Sequence, residues 1–330
     1  MQFRTLVHIN PKQYPTLSYT NKLMSLGSCF STHIGNKLKS GKFSCIVNPY
    51  GVLYNPASIA KALYEIDRGR LYTEEDLFYF NEQWHSWMHH GSFSSSNKDE
   101  ALEQINKSLV EAHEKLKDLD VLFLTFGTAW LYELSEEEAI VSNCHKMPNT
   151  LFERKKMSVA SIVKLYRDLL DYLLKSNPNL KVVFSVSPIR HIRDGMAANQ
   201  LSKATLLLAI DELVNSYPNS VFYFPAYEIV LDELRDYRFY ADDMVHPSNI
   251  AVEYIWERFR EAFFSADVLR ILSECEKIEN SLNHRPSDPN ALSYHSFLED
   301  LIIKMEEMSI NNPKLDFRKE IELCHIRLKR

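Results

Sequence analysis

The apolar residues of this chain fall into two kinds of run. Continuous runs at 121–126 (VLFLTF), 182–186 (VVFSV) and 221–224 (VFYF) show no polar alternation, the pattern of strands buried on both faces. Two further β-rich runs, 23–26 (LMSL) and 43–47 (FSCIV), lie near the start. Between the runs the period changes. Across 99–117 apolar residues return at Leu102, Ile105, Leu109, Ala112 and Leu116, which is one face of a helix. Segments 158–174, 203–214 and 250–264 read the same way, and the turn-rich SNPN (176–179) and SYPNS (216–220) separate helix from strand. The alternation predicts an α/β unit, a parallel sheet covered by helices on both faces. Beyond about residue 265 only helical patterns remain, at 268–282, 293–308 and 315–329, broken by NHRPSDPN and SINNP. The expected domains are therefore 1–265 and a helical C-terminal appendage, 266–330. Residues 67–98 are rich in aromatics and have no clear period.

Ligands of such sheets gather beyond the carboxyl ends of the strands. Chemistry is therefore sought at 27–29, 127–130, 187–191 and the loop after Phe224. At 26–31 the sequence LGSCFS ends an apolar run in glycine and follows it with small nucleophilic residues. A strand-to-helix turn presents a nucleophile in this way, with helix N–H groups facing an oxyanion. A plain helix N-cap uses the same residues without chemistry. At 240–249, YADDMVHPSN places Asp243 three residues before His246. That spacing allows a carboxylate to orient an imidazole whose other nitrogen accepts a proton. A capped turn with a surface histidine is the plainer account.

Taken together, the early GSC and the late DxxHP resemble the SGNH or GDSL hydrolase superfamily. More closely, the chain resembles the GSCFA family of bacterial proteins, whose name motif reads Gly27-Ser28-Cys29-Phe30-Ser31 here. NPYGVLYNP (48–56), TFGTAWLY (125–132), NCHKMP (143–148) and SVSPIRH (185–191) extend the likeness over residues 20–265. The resemblance implies a three-layer, flavodoxin-like (SGNH hydrolase-like) sheet of about five parallel strands. It implies an acyl esterase or acyltransferase that forms a covalent acyl-enzyme on a small or carbohydrate-linked ester and needs no cofactor. Aligned without a gap, Cys29 falls on the superfamily's nucleophile, giving a Cys29–His246–Asp243 triad, while a competing register uses Ser28. The thiol pKa is expected to fall beside a helix N-terminus and an imidazolium. Gly51 takes the glycine role in the oxyanion hole. The block Gly127-Thr128-Ala129 lacks the superfamily's asparagine, so Thr128 or Asn143 is the expected substitute. Loss of one such donor costs on the order of 10²–10³ in rate, which keeps a non-catalytic binding module as the alternative.

Composition narrows the field. The 330 residues include eight glycines, where usage near 7% would give roughly 23. No G-x-G-x-x-G occurs, and GNKLKSGK (35–42) has five residues between its glycines and Phe43 where a magnesium-binding Ser or Thr belongs. A net charge of −6 gives no reason to expect nucleic acid. No run of ~18 apolar residues predicts a membrane span. Five scattered cysteines read as free thiols in a reducing, cytoplasmic setting. Arg190, His191 and Arg193 follow a strand end and suit a carboxylate or phosphate. His85 and His89 in WHSWMHH would share a helix face and offer two metal ligands, the basis of a metal-dependent hydrolase alternative. A His- and Trp-rich pocket wall explains them more simply. The acidic run 136–138 reads as a solvated face.

Overall fold

The computed structural model describes residues 4–137, 139–284, 286 and 288–329; Glu138 of the acidic run lies outside them. Strand β1 (Lys22–Gly27) leads into helix α1 (Cys29–Ser40), β2 (Ser44–Val47) and α2 (Pro56–Asp67). A hairpin of β3 (Phe78–Phe80) and β4 (Gln83–His85) precedes α3 (Lys98–Leu116) and β5 (Val121–Phe126). Next come β6 (Trp130–Leu134), β7 (Ile140–Val141), β8 (Phe152–Lys156), α4 (Val159–Ser176), β9 (Lys181–Val186), α5 (Met196–Ser216) and β10 (Val221–Tyr223). The short α6 (Ala226–Glu228) runs into a π-helical turn, Ile229–Leu234. Helices α7 (Asn249–Phe263), α8 (Ala266–Asn283), α9 (Leu292–Asn311) and α10 (Arg318–Leu328) follow.

All five apolar runs are strands of one parallel sheet, ordered β10-β9-β5-β1-β2. Counted along the chain this is the doubly wound order 2-1-3-4-5, whose winding reverses between β1 and β5. There Gly27 pairs with Thr125 and Thr125 with Ser185, so the turns after β1, β5 and β9 emerge side by side. Side chains alternate along a strand. Met24, Leu26, Leu122, Leu124, Val182 and Phe184 therefore join α2–α5 on one face, while Leu23, Val121, Phe123 and Val183 join α1 and α7 on the other.

Three differences from expectation have physical causes. Helix α5 begins at Met196 rather than near 203. The buried face of its first turns is polar, with Asn199, Ser202 and Lys203 fully enclosed, so apolar periodicity does not register it. The aperiodic stretch 67–98 contains the β3–β4 hairpin, with Phe78 stacked on Trp87 at 3.7 Å between centroids. A second, antiparallel sheet, β7-β6-β8, crosses beyond the end of β5. Its strands are largely half-exposed and mix polar with apolar side chains, so they show no clean alternation. The C-terminal helices pack around a separate core that includes Cys275, Ile278, Leu298, Met305 and Phe317. Helix α8 serves both cores, because its Val268 and Leu272 pack with α1 and α7. The expected boundary at 265/266 thus falls at the start of a shared helix. Among the described residues, no helix is long and apolar enough to cross a membrane.

Candidate active site

The turn from β1 into α1 depends on Gly27. Its φ is +143°, and an added Cβ would stand 2.2 Å from the carbonyl oxygen of Thr125. Glycine alone allows β1 to end this close to β5. The Gly27 N–H donates to Asn48 Oδ1 at 2.8 Å, and Asn48 Nδ2 donates to Thr32 Oγ1 at 2.7 Å. Asn48, buried after β2, therefore ties β1 to α1. Ser28 is the N-cap of α1, yet its side chain makes no capping bond. Its hydroxyl is buried without a hydrogen-bond partner among the described residues. Cys29 opens the helix and is half-buried. Burial pushes its thiol pKa up, while the N–H groups of Cys29 and Phe30 and the Lys203 side chain pull it back in part. The expected fall in the Cys29 pKa is therefore reversed: the helix terminus acts in the expected direction, and desolvation outweighs it.

The second component sits between β10 and α7. His246 Nδ1 lies 2.5 Å from Asp243 Oδ2. Asp243 Oδ1 accepts the N–H groups of Val245 at 3.0 Å and His246 at 2.9 Å. Met244, between them, is left-handed at φ +59°, which closes the turn. The two N–H bonds, then the imidazole, pull the Asp243 pKa down to about 2. An ionised carboxylate on Nδ1 holds the ring proton there and leaves Nε2 as the acceptor nitrogen.

Cys29 and His246 line one cavity of about 390 Å³ at the carboxyl edge of the sheet, together with Ser28, Tyr54, Thr128, Arg190 and His191. Burial, then the charge of Lys203, lowers the His191 pKa to about 4, so the ring is neutral at pH 7. It meets the Tyr54 ring in a T-shaped arrangement with centroids 5.7 Å apart. Thr128 is present as expected, but its hydroxyl already meets Ser202 Oγ at 3.1 Å and accepts the Trp130 N–H at 3.2 Å.

Sequence reasoning missed Lys203. Its ammonium is fully buried and donates to the carbonyls of Gly127 and Ser187, both at 2.6 Å. Two strand ends, β5 and β9, are thereby joined beneath the cavity. Burial, then Arg190, lowers its pKa to about 7. The available signal was a lysine on the apolar stripe Lys203, Leu206, Ile210, Leu213. Asn55 was also missed. It lines the cavity and caps α2, accepting the Ser58 N–H at 2.8 Å.

Other expected residues lie elsewhere or are already engaged. The Gly51 N–H donates to Asn48 O at 2.7 Å within a tight turn, so it is not aimed at an oxyanion. Asn143 Oδ1 accepts the His145 N–H at 2.9 Å, and Ser142 rather than Asn143 lines the cavity. His85 is in β4 and His89 in the following turn, not on one helix face. His85 bonds Ser94 Oγ at 2.7 Å and the Phe80 carbonyl at 3.0 Å, and His89 Nδ1 bonds Ser86 Oγ at 3.0 Å. Among the described residues, no three His, Cys, Asp or Glu side chains gather in a metal-holding group.

The fold and site thus define an α/β protein with a cysteine at a helix N-terminus and an Asp-supported histidine at the same sheet edge. Residues 22–259 match the GSCFA family, and residues 275–330 match the C-terminal domain described for GSCFA domain proteins. The chain belongs to the GSCFA family. No curated protein and no solved structure matches it.

Proposed function

We propose that the chain is an SGNH-type acyl esterase or acyltransferase that works through a thioester on Cys29. The observation that carries this reading is the shared cavity, which joins a half-buried thiol at a helix N-terminus to an imidazole held by an ionised carboxylate. The doubly wound strand order is consistent with the superfamily. The five cysteines are all unpaired, which favours a reducing, cytoplasmic setting. Tyr54, Trp130 and Tyr132 give the cavity aromatic walls suited to a small or carbohydrate-linked ester.

In this mechanism Sγ of Cys29 adds to the substrate carbonyl while Nε2 of His246 accepts the thiol proton. A thiol kept protonated by burial loses its proton as the bond forms, not beforehand. The oxyanion meets the N–H groups of Cys29 and Phe30, which have no acceptor within the helix. The alcohol leaves with the proton from His246, and the acyl group stays on sulfur. Water, or an acceptor alcohol, then gives a proton to His246 and attacks the thioester; the proton returns to sulfur as the acid or new ester departs. Ser28 is the weaker candidate because its hydroxyl is enclosed.

Intact-mass measurement after incubation with p-nitrophenyl esters of short acids tests the reading. An acyl adduct is expected on wild type, more slowly on His246→Ala and not on Cys29→Ala. An adduct lost in Ser28→Ala but kept in Cys29→Ala moves the nucleophile to Ser28. Turnover lost to chelator points to a metal-dependent hydrolase. No adduct and no turnover leaves a non-catalytic binding module, which the engaged Gly51 N–H and the missing asparagine favour.

A further inference from the structure

The cavity has a charge character opposite to that of the chain. The whole sequence carries −6, yet among the described residues Arg154, Arg190 and Arg193 line this one pocket against a single acidic side chain, Asp194. Asp194 is paired with Arg154. Arg154 also lies over the ring of Trp130, 4.2 Å from its centroid, so that pair is closed.

Arg190 and Arg193 differ. Neither has a carboxylate partner among the described residues; neutral groups hold both. Arg190 Nε donates to Asn199 Oδ1 at 2.7 Å, and Asn199 is fully buried. Arg193 donates to Tyr132 Oη at 3.1 Å and to Asn149 Oδ1 at 3.4 Å. Amide and phenol oxygens fix the direction of a guanidinium without cancelling its charge. Lys203, behind the same wall, also meets carbonyl oxygens rather than a carboxylate. Positive charge with low-dielectric walls focuses the field and attracts anions. Arg190, held at Nε, keeps its outer N–H groups for a planar or tetrahedral oxyanion, whereas Arg193 is held through both outer nitrogens and offers its remaining hydrogens and its charge.

Resting on the acyl-transfer reading, we propose that the substrate carries an anionic oxygen group, a carboxylate or a phosphate, that docks between Arg190 and Arg193 while its ester carbonyl lies at Cys29. A carboxylate would sit on the acyl chain or the alcohol; a phosphate would sit on the alcohol. His191, neutral at pH 7, contributes shape and a hydrogen bond but no charge.

Binding by the Cys29→Ala protein tests this without chemistry. Succinate, inorganic phosphate and the neutral succinamide are titrated at low salt by calorimetry. Succinate or phosphate is expected to bind at least 10-fold more tightly than succinamide, and whichever binds identifies the anion. Arg190→Gln and Arg193→Gln should each weaken that binding 10-fold or more and leave succinamide unaffected. If Arg190→Gln fails to fold, Arg193→Gln, which alters an exposed side chain, decides with the salt dependence of the parent. No anion binding, or anion binding indifferent to both arginines, overturns the proposal even where Cys29 is acylated by neutral esters. Anion binding without any acylation retains the anion site and rejects the enzyme reading.

Discussion

Asp243 grips His246 twice, through the ring at 2.5 Å and through the backbone N–H at 2.9 Å. The first bond selects the ring tautomer. The second fixes the turn that places the ring. A carboxylate with its pKa near 2 holds this grip at every pH above the ordinary carboxyl range and loses it as pH falls toward 2.

Asp243→Asn removes the charge and lets the amide donate to Nδ1, which puts the ring proton on Nε2 so that this nitrogen cannot accept the thiol proton. Acylation of Cys29 by a p-nitrophenyl ester should fall on the order of 10²–10⁴-fold. The melting temperature should hardly move, because both side chains are half-exposed and surface pairs add little stability. Unchanged acylation would remove Asp243 from the proposed mechanism.

Lys203 gives a pH signature. Its folded pKa, about 7, lies below the ordinary lysine value of 10.5. Between those values the unfolded chain binds more protons than the native one, so this group makes stability rise with pH from about 7 toward 10. Below about 7 its contribution is flat. Lys203→Met should show a shallower rise in urea denaturation across that window. Leaving the Gly127 and Ser187 carbonyls without a donor should also cost about 1–3 kcal/mol each. Identical pH slopes in the two proteins would contradict the burial of the amine.

Gly27→Ala should destabilise by at least about 2 kcal/mol, since a positive φ and a backbone clash act together. The chain around it has nowhere to go: Thr125 carries the opposing carbonyl in the central strand β5. Equilibrium denaturation measures the loss. A change below 0.5 kcal/mol, on the order of an ordinary surface substitution, would mean that the strand ends are farther apart.

Ser28→Ala should leave stability unchanged or raise it by about 1 kcal/mol, because it deletes a buried hydroxyl that has no hydrogen-bond partner among the described residues. Alkylation of Cys29 by iodoacetamide should persist in the folded variant. A marked loss of stability would reveal a hydrogen bond at Ser28 Oγ.

Much of the architecture was legible because burial on both faces writes itself as unbroken apolar runs. Leu122, Phe123 and Leu124 are read as one strand because the sheet has a core on either side. The two parts of the candidate site were legible for a local reason as well: Asp243 and His246 share one turn, and Cys29 lies two residues after the strand-ending Gly27. Where a site is assembled from distant turns, residue type and spacing stop being informative. Gly51 and Asn143 were reasonable oxyanion donors by position, yet the Gly51 N–H is occupied within its own turn and Asn143 is not among the residues that line the cavity.

The sequence by itself determined the parallel sheet and the helical appendage, which follow from near-neighbour periodicity, and it placed Asp243 three residues before His246. Only the tertiary structure decided that burial raises the Cys29 pKa, that Lys203 ties two strand ends beneath the cavity, and that Arg190 and Arg193 face it with no carboxylate partner among the described residues. Desolvation and charge depend on which remote turns meet, here the ends of β1, β5 and β9, and no local pattern in the chain encodes that meeting.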